Sequence, residues 1–219
     1  MSTAAAASTG QIATLSAVEI AQRRTDAEKL AAAGDLPAAE AVYRAILVAD
    51  LKNIYALMGL GNLARLANDH AIAETRYVEA AAIHPRSTWP LFTLINLHSA
   101  QRQWEQGEDI AARAFALNAT DFHTAMAIGR LRRDRGDQSA ALAAFEIAVK
   151  SDPKHTGACA EVGRTLMALD RLDEAERTFT EGLQVAAPDQ CLILYRSLAS
   201  VMRKKSDLPA IVIWLRQAH

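Results

Sequence analysis

Four residues of this chain stand at intervals of 34: Asn62, Asn96, Arg130 and Arg164. An asparagine amide offers a donor and an acceptor, which suits the backbone of an extended peptide. An arginine offers a planar fork of donors that suits carboxylates and phosphates. This is recognition chemistry. Residues for making and breaking bonds are not assembled in the same way. The histidines are His70, His84, His98, His123, His155 and His219, and none forms an HxxxH or HExxH pair. Cys159 and Cys191 make neither a disulfide framework nor a zinc motif. No GxxxxGK loop and no GxSxG elbow occurs. The nearest approach to a phosphate loop is "GRLRRDRGD" from Gly129, but it falls within a helical pattern in which Gly129 has a packing role. Cys159 takes the place that Leu57 holds one hundred and two residues earlier, so it reads as a packed thiol. The expectation is a chain without catalytic residues, metal or cofactor, and so not an enzyme.

The column exists because the whole sequence repeats. "GDLPAAEAVYRAILVADLKN" from Gly34 returns as "NDHAIAETRYVEAAAIHPRS" from Asn68 and "RQWEQGEDIAARAFALNATD" from Arg102. It returns again as "GDQSAALAAFEIAVKSDPKH" from Gly136 and "DRLDEAERTFTEGLQVAAPD" from Asp170. Such a period must be settled before any other feature, because it decides the fold. In the copy from Ile54 to Ser87, Leu57, Leu60 and Ala64 share one helical face. Asn68 and Asp69 then supply turn chemistry. Ala73, Tyr77 and Ala80 mark a second helix, and Pro85 ends it. Each copy is a helix, a tight turn and a second helix.

Small residues recur at fixed places. Gly61 in the first helix and Ala73 in the second are expected to let the two backbones approach closely. Ala27, Gly129 and Gly163 repeat the first feature, and Ala39, Ala141 and Ala175 the second. The third copy has bulky Ile95 instead, and Gly107 where the others carry alanine, so volume gained on one helix is expected to be offset on the other.

With this pattern over Ile20 to Asp189, the chain resembles the tetratricopeptide repeat family. The resemblance implies an all-α fold: an α-solenoid, a right-handed superhelix of about six helix–turn–helix units. The expected units are 20–53, 54–87, 88–121, 122–155, 156–189 and, two residues late, 192–219, forming a single array over 16–219 behind a disordered Ala/Ser/Thr-rich tail over 1–15. Ser16 and Glu19 form a capping-box pattern that starts the first helix early. The resemblance also implies that the first helices line a concave groove for a peptide or protein. Residues one, four, eight and eleven after each start are expected to face it. The candidate groove residues are Tyr55, Met58, Asn62 and Arg65, then Trp89, Phe92 and Asn96, then His123, Met126, Arg130 and Arg133, then Arg164, and finally Arg196. The groove reads as aromatic and amide-rich early and cationic late. The expected function is a non-catalytic scaffold that binds an extended, partly acidic segment. The alternative is the N-terminal substrate-selecting or oligomerising module of a larger enzyme, such as a glycosyltransferase or a sulfotransferase.

The bulk properties agree. Lys and Arg number 24 against 25 Asp and Glu, for a net charge of −1, so nothing draws the whole chain to nucleic acid. No stretch is apolar enough for a membrane span. The first residues lack the basic and apolar regions of a signal peptide, and a cytoplasmic location is expected. At the other end, "AIVIWLRQAH" is an uncapped apolar run. Repeat arrays need a polar terminal cap, so this helix is expected to be covered by another copy or by further polypeptide.

Overall fold

The computed structural model describes residues 15–206. Among them are eleven α-helices, one short 3-10 turn and no strand. The chain divides into two compact units, Met1–Pro85 and Arg86–His219. The N-terminal unit holds α1 (Ala17–Ala32), α2 (Leu36–Ala49), α3 (Ile54–Leu66) and α4 (His70–Ile83). The C-terminal unit holds α5 (Trp89–Ala100), α6 (Trp104–Leu117), α7 (Phe122–Arg135), α8 (Gln138–Ser151), α9 (Thr156–Ala168), α10 (Leu172–Val185) and α11 (Cys191–Lys204), with the 3-10 turn at Pro188–Gln190 before α11. All but Leu15 of the expected disordered tail, and the whole apolar terminal run, fall on residues outside the described part.

The turn between the paired helices is built the same way each time. A left-handed residue stands at Gly34, Asn68, Arg102, Gly136, Asp170 and Ser206, with φ from 58° to 99°. The backbone N–H of the following residue then reaches back to a carbonyl of the helix just ended. The bonds are Asp35 to Leu30, Asp69 to Ala64, Gln103 to His98, Asp137 to Arg132 and Arg171 to Leu166, all 2.8–2.9 Å. This closes each first helix in a Schellman arrangement. The same residue opens the next helix. The carboxylates of Asp35, Asp69 and Asp137 accept from the N–H groups of Ala38, Ile72 and Ala140 at 3.1, 3.1 and 2.9 Å. Gln103 and Arg171 make no such cap. Gln103 instead holds the imidazole Nδ1 of His98 at 2.6 Å, and Arg171 grips Glu174 at 2.7 Å. At the start of the array Ser16 caps α1, and the Glu19 side chain returns to the Ser16 N–H at 2.8 Å.

Within a repeat, the contact that sets the helix spacing is a ring on a glycine. A Cβ added to Gly61 would lie 2.4 Å from the Tyr77 ring, one on Gly129 2.4 Å from Phe145, and one on Gly163 2.2 Å from Phe179. The partner of the glycine is therefore this aromatic side chain, and not the backbone beside Ala73 as the sequence pattern suggested. Ala39, Ala73, Ala141 and Ala175 are all fully buried. The first repeat has Ala27 in place of the glycine, and Tyr43 lies instead against Gly59 of α3, whose added Cβ would fall 2.4 Å from the ring.

The third repeat inverts the arrangement, and the compensating residue differs from the expected one. Ile95 stands where its counterparts have glycine, and Ala111 stands where they have Tyr77, Phe145 and Phe179; both are buried. Bulk has moved from the second helix to the first. Gly107 serves another contact, because a Cβ there would meet the Leu131 side chain of α7 at 2.8 Å.

The N-terminal core gathers Ala27, Ala39, Tyr43, Ile46, Ala56, Leu60 and Leu63. The larger C-terminal core centres on Phe145, Leu166, Phe179, Leu194 and Leu198. Gly61→Leu is expected to overpack the ring contact and lower stability by about 1–3 kcal/mol. Gly107→Ala is expected to shift the midpoint less, because it meets only the end of a flexible leucine; thermal denaturation of the two variants compares them. Arg102 is a left-handed residue with a full side chain. Arg102→Gly is expected to raise stability by about 0.5–1 kcal/mol, the relief of left-handed strain outweighing the added chain entropy. Urea titration of that variant and the parent measures the gain.

Candidate functional site

Along each first helix, three positions make an outward stripe. At about 100° per residue, those one, eight and twelve after the repeat start lie within roughly 40° of one another. In α3 these are Tyr55, Asn62 and Leu66; in α7, His123, Arg130 and Asp134; in α9, Gly157, Arg164 and Ala168. All are exposed or half-buried. The position four after the start lies about 40° closer to the core face. Met58 is accordingly 0% exposed and Met126 4%, so neither offers a surface to a ligand, and both are corrected from groove to core.

In the N-terminal unit, the Asn62 carbonyl is already engaged: the Tyr77 hydroxyl donates to it at 2.7 Å. Burial pushes the Tyr77 phenol up, against the opposing pull of the Arg65 cation and its hydrogen bond. Arg65 itself is exposed. The Arg24 guanidinium lies 4.6 Å over the Tyr55 ring. The ring contact of this repeat thus ends in a polar group on the stripe, and Asn62 keeps its amide N–H groups and one lone pair of its carbonyl for a ligand.

In the C-terminal unit, Trp89 opens α5 with Pro90 after it and is half-buried. The Phe92 ring stacks on His123 at 5.1 Å, and Phe122 meets His123 edge-on at 5.2 Å and His155 at 4.6 Å. These four rings form a band across the N-terminal ends of α5, α7 and α9. Asn96 is half-buried and makes no side-chain hydrogen bond among the described residues. Arg130 and Arg196 are exposed and make no ion pair among the described residues.

Arg133 and Arg164 are placed differently. Both grip Glu161, Arg133 at 2.8 Å on one carboxylate oxygen and Arg164 at 2.9 Å on the other. The Glu161 side chain is 14% exposed. Arg133 also holds Asp134 at 3.0 Å, and Asp134 accepts from Ser99 at 3.2 Å. A polar chain therefore crosses from α5 through α7 to α9, and it neutralises half of the cations expected there. Sequence reasoning missed Glu161 and Asp134. The signal was present, since Glu161 precedes Arg164 by three residues, a spacing that pairs side chains on a helix.

Arg164 and Arg196 line one cleft of about 670 Å³ between α9 and α11, with Met167, Leu192 and Ile193 as apolar wall. Asp189 and Gln190 of the 3-10 turn form its edge. Gln190 is in turn held by the Thr156 hydroxyl at 3.3 Å. On the opposite side, Arg132 forms a two-pronged pair with Glu108, both bonds 3.1 Å, which braces α7 against α6. "GRLRRDRGD" is thus a helix and its turn, with Gly129 against Phe145. Cys159 is 5% exposed, and burial pushes its thiol up, as suits a packed sulfur. Among the described residues no cluster of His, Cys, Asp and Glu could hold a metal. Among them, too, no helix is long and apolar enough to cross a membrane.

No protein-family model matches the chain, and no curated protein is significantly similar to it in sequence. Solved structures share its fold. PilF of Pseudomonas aeruginosa is 14% identical with a TM-score of 0.70, over 89% of this chain and 88% of that one. TTC0263, a thermophilic TPR protein of Thermus thermophilus, is 19% identical with a TM-score of 0.67, over 84% of this chain and 98% of that one. YrrB, a TPR protein with an unusual peptide-binding site, is 15% identical with a TM-score of 0.59, over 80% of this chain and 90% of that one. At these identities the likeness shows the fold: an all-helical α-solenoid of tetratricopeptide repeats.

The raised phenols carry a pH signature. Tyr43 and Tyr77 are both pushed up, chiefly by burial. The stability this reflects is complete below the unfolded tyrosine pKa of about 10 and is lost as pH rises through the higher folded values. An ultraviolet titration of tyrosinate is expected to show a late component, and Tyr77→Phe is expected to diminish it.

Proposed function

We propose that the protein is a non-catalytic interaction scaffold that holds an extended, partly acidic peptide or protein segment. The binding surface is the outward stripe of the first helices in the C-terminal unit. The observation that carries this reading is the cleft between α9 and α11. Arg164 and Arg196 line it together with the apolar side chains of Met167, Leu192 and Ile193. That combination suits a segment in which acidic and apolar residues alternate. Arg130, without an ion-pair partner among the described residues, continues the cationic character on α7. The Phe92–His123 stack offers an aromatic platform further along the same first helices. The tetratricopeptide fold, and the peptide-binding site named for YrrB, support a peptide as the ligand class.

Interfaces concentrate their energy in buried aromatics and arginines. Phe92→Ala and Arg196→Ala are each expected to weaken binding of a selected peptide by about 1–3 kcal/mol. Only the arginine contribution is expected to fade with salt, since exposed charges are screened. A peptide-library selection on the native chain, followed by titration of the best sequence at low and high salt, measures both. Selected peptides without acidic preference, or undiminished binding by the Arg130→Glu and Arg196→Glu double variant, would rule this surface out.

A further inference from the structure

Glu161 is the one charged residue at its place among the first helices. The equivalent place in the other first helices carries Thr25, Gly59, Thr93, Ala127 and, with the late start, Ser197. None of these is charged, and at Gly59 the Tyr43 ring of the preceding repeat lies where a side chain would stand. At Glu161 a carboxylate is instead drawn into the surface, its side chain 14% exposed, with one oxygen on Arg133 of α7 and the other on Arg164 of α9. Both arginines keep a substantial exposed face, 34% and 45% of their side chains. A guanidinium has five N–H donors, and Glu161 occupies only part of each fork.

We propose that Glu161 is an internal stand-in for a ligand acid: it occupies the Arg133 and Arg164 guanidinium groups that a bound acidic segment would engage, and so sets how acidic a ligand must be. This rests on the reading of the surface as a site for acidic segments. A weakly acidic ligand meets arginines already balanced by Glu161 and Asp134, and is left with Arg130 and Arg196. A strongly acidic one competes with Glu161 for the remaining donors. Glu161 is thus a specificity-determining residue that touches the ligand only through the arginines it holds.

The test uses the full chain and two fluorescein-labelled peptides, one of four Glu-Phe-Ala triplets and one with glutamine in place of each glutamate. Glu161→Gln keeps the shape and removes the charge. It is expected to bind the acidic peptide at least about tenfold more tightly than the native chain, the worth of one or two freed charge-assisted bonds. Its affinity is also expected to fall more steeply with salt, while the glutamine peptide is unaffected. Glu146→Gln, on the exposed surface of α8, makes the same change in net charge and is expected to leave both affinities unchanged. An equal gain from Glu146→Gln would reduce the effect to net charge and overturn the proposal. Native binding of the acidic peptide with no gain from Glu161→Gln would overturn it too, leaving Glu161 as a brace and the acidic-segment reading intact. If neither the native chain nor Glu161→Gln binds the acidic peptide, both readings fall. Helical circular dichroism checks each variant. Should Glu161→Gln lose its helices, Glu161→Asp retracts the carboxylate by one methylene while keeping its charge. It is then expected to tighten the acidic peptide about threefold, and no gain there overturns the proposal.

Discussion

The contact between an aromatic ring and a bare Cα is the constraint on which the repeats depend. Tyr77, Phe145 and Phe179 each fill the space that a side chain on Gly61, Gly129 or Gly163 would need. Protein interiors are packed closely enough that a single methyl group is felt. The ring therefore fixes how near the two helices of a repeat come, and with it the outward direction of the first helix. Ile95 with Ala111 shows that the total volume is what must be kept, since the bulk can sit on either helix. The positions of Asn62, Arg130 and Arg164 on the surface follow from this buried fit.

Charge on that surface is arranged by local pairing more than by number. Arginines recur along the first helices, yet Arg133 and Arg164 share one carboxylate and Arg132 is turned to Glu108 on the other side. What is left for an outside acid is Arg130, Arg196 and the unused donors of the shared pair. A column of cations in a sequence overstates the field they create when acids hold them in place, here one from the same helical turn, Glu161 on Arg164, and others from neighbouring helices, Glu161 on Arg133 and Glu108 on Arg132.

The period, the helix pairs and their turns were legible because each is written in local chemistry. Glycine, asparagine or aspartate at the turn, aspartate after it and proline at the end act within a few residues of themselves. The partner of Gly61 was not legible in the same way, because it lies on the second helix and is reached by a long ring rather than by the nearest small residue. Met58 and Met126 were misplaced because a turn of helix separates an outward residue from a buried one by only a modest angle. Glu161 and Asp134 were overlooked because the four columns followed along the first helices excluded their positions; only the three-residue step from Glu161 to Arg164 announced a pair, while the Arg133 contacts, one to its sequence neighbour and one to another helix, carry no such signal.

The left-handed residues stand 34 apart from Gly34 to Asp170, and the next, Ser206, comes 36 after Asp170. The added length is taken up before α11, where the 3-10 turn places Asp189 and Gln190 at the edge of the cleft. A strictly periodic surface presents a long ligand with several nearly equivalent frames, each displaced by one repeat. Here the side chains differ from repeat to repeat, Asn62 and Asn96 giving way to Arg130 and Arg164, and the lengthened step sets the last interval apart in its backbone as well. On the reading proposed above, an acid placed between Arg164 and Arg196 would sit at the one step of the array that is two residues longer than the rest, and so at a place no other repeat reproduces.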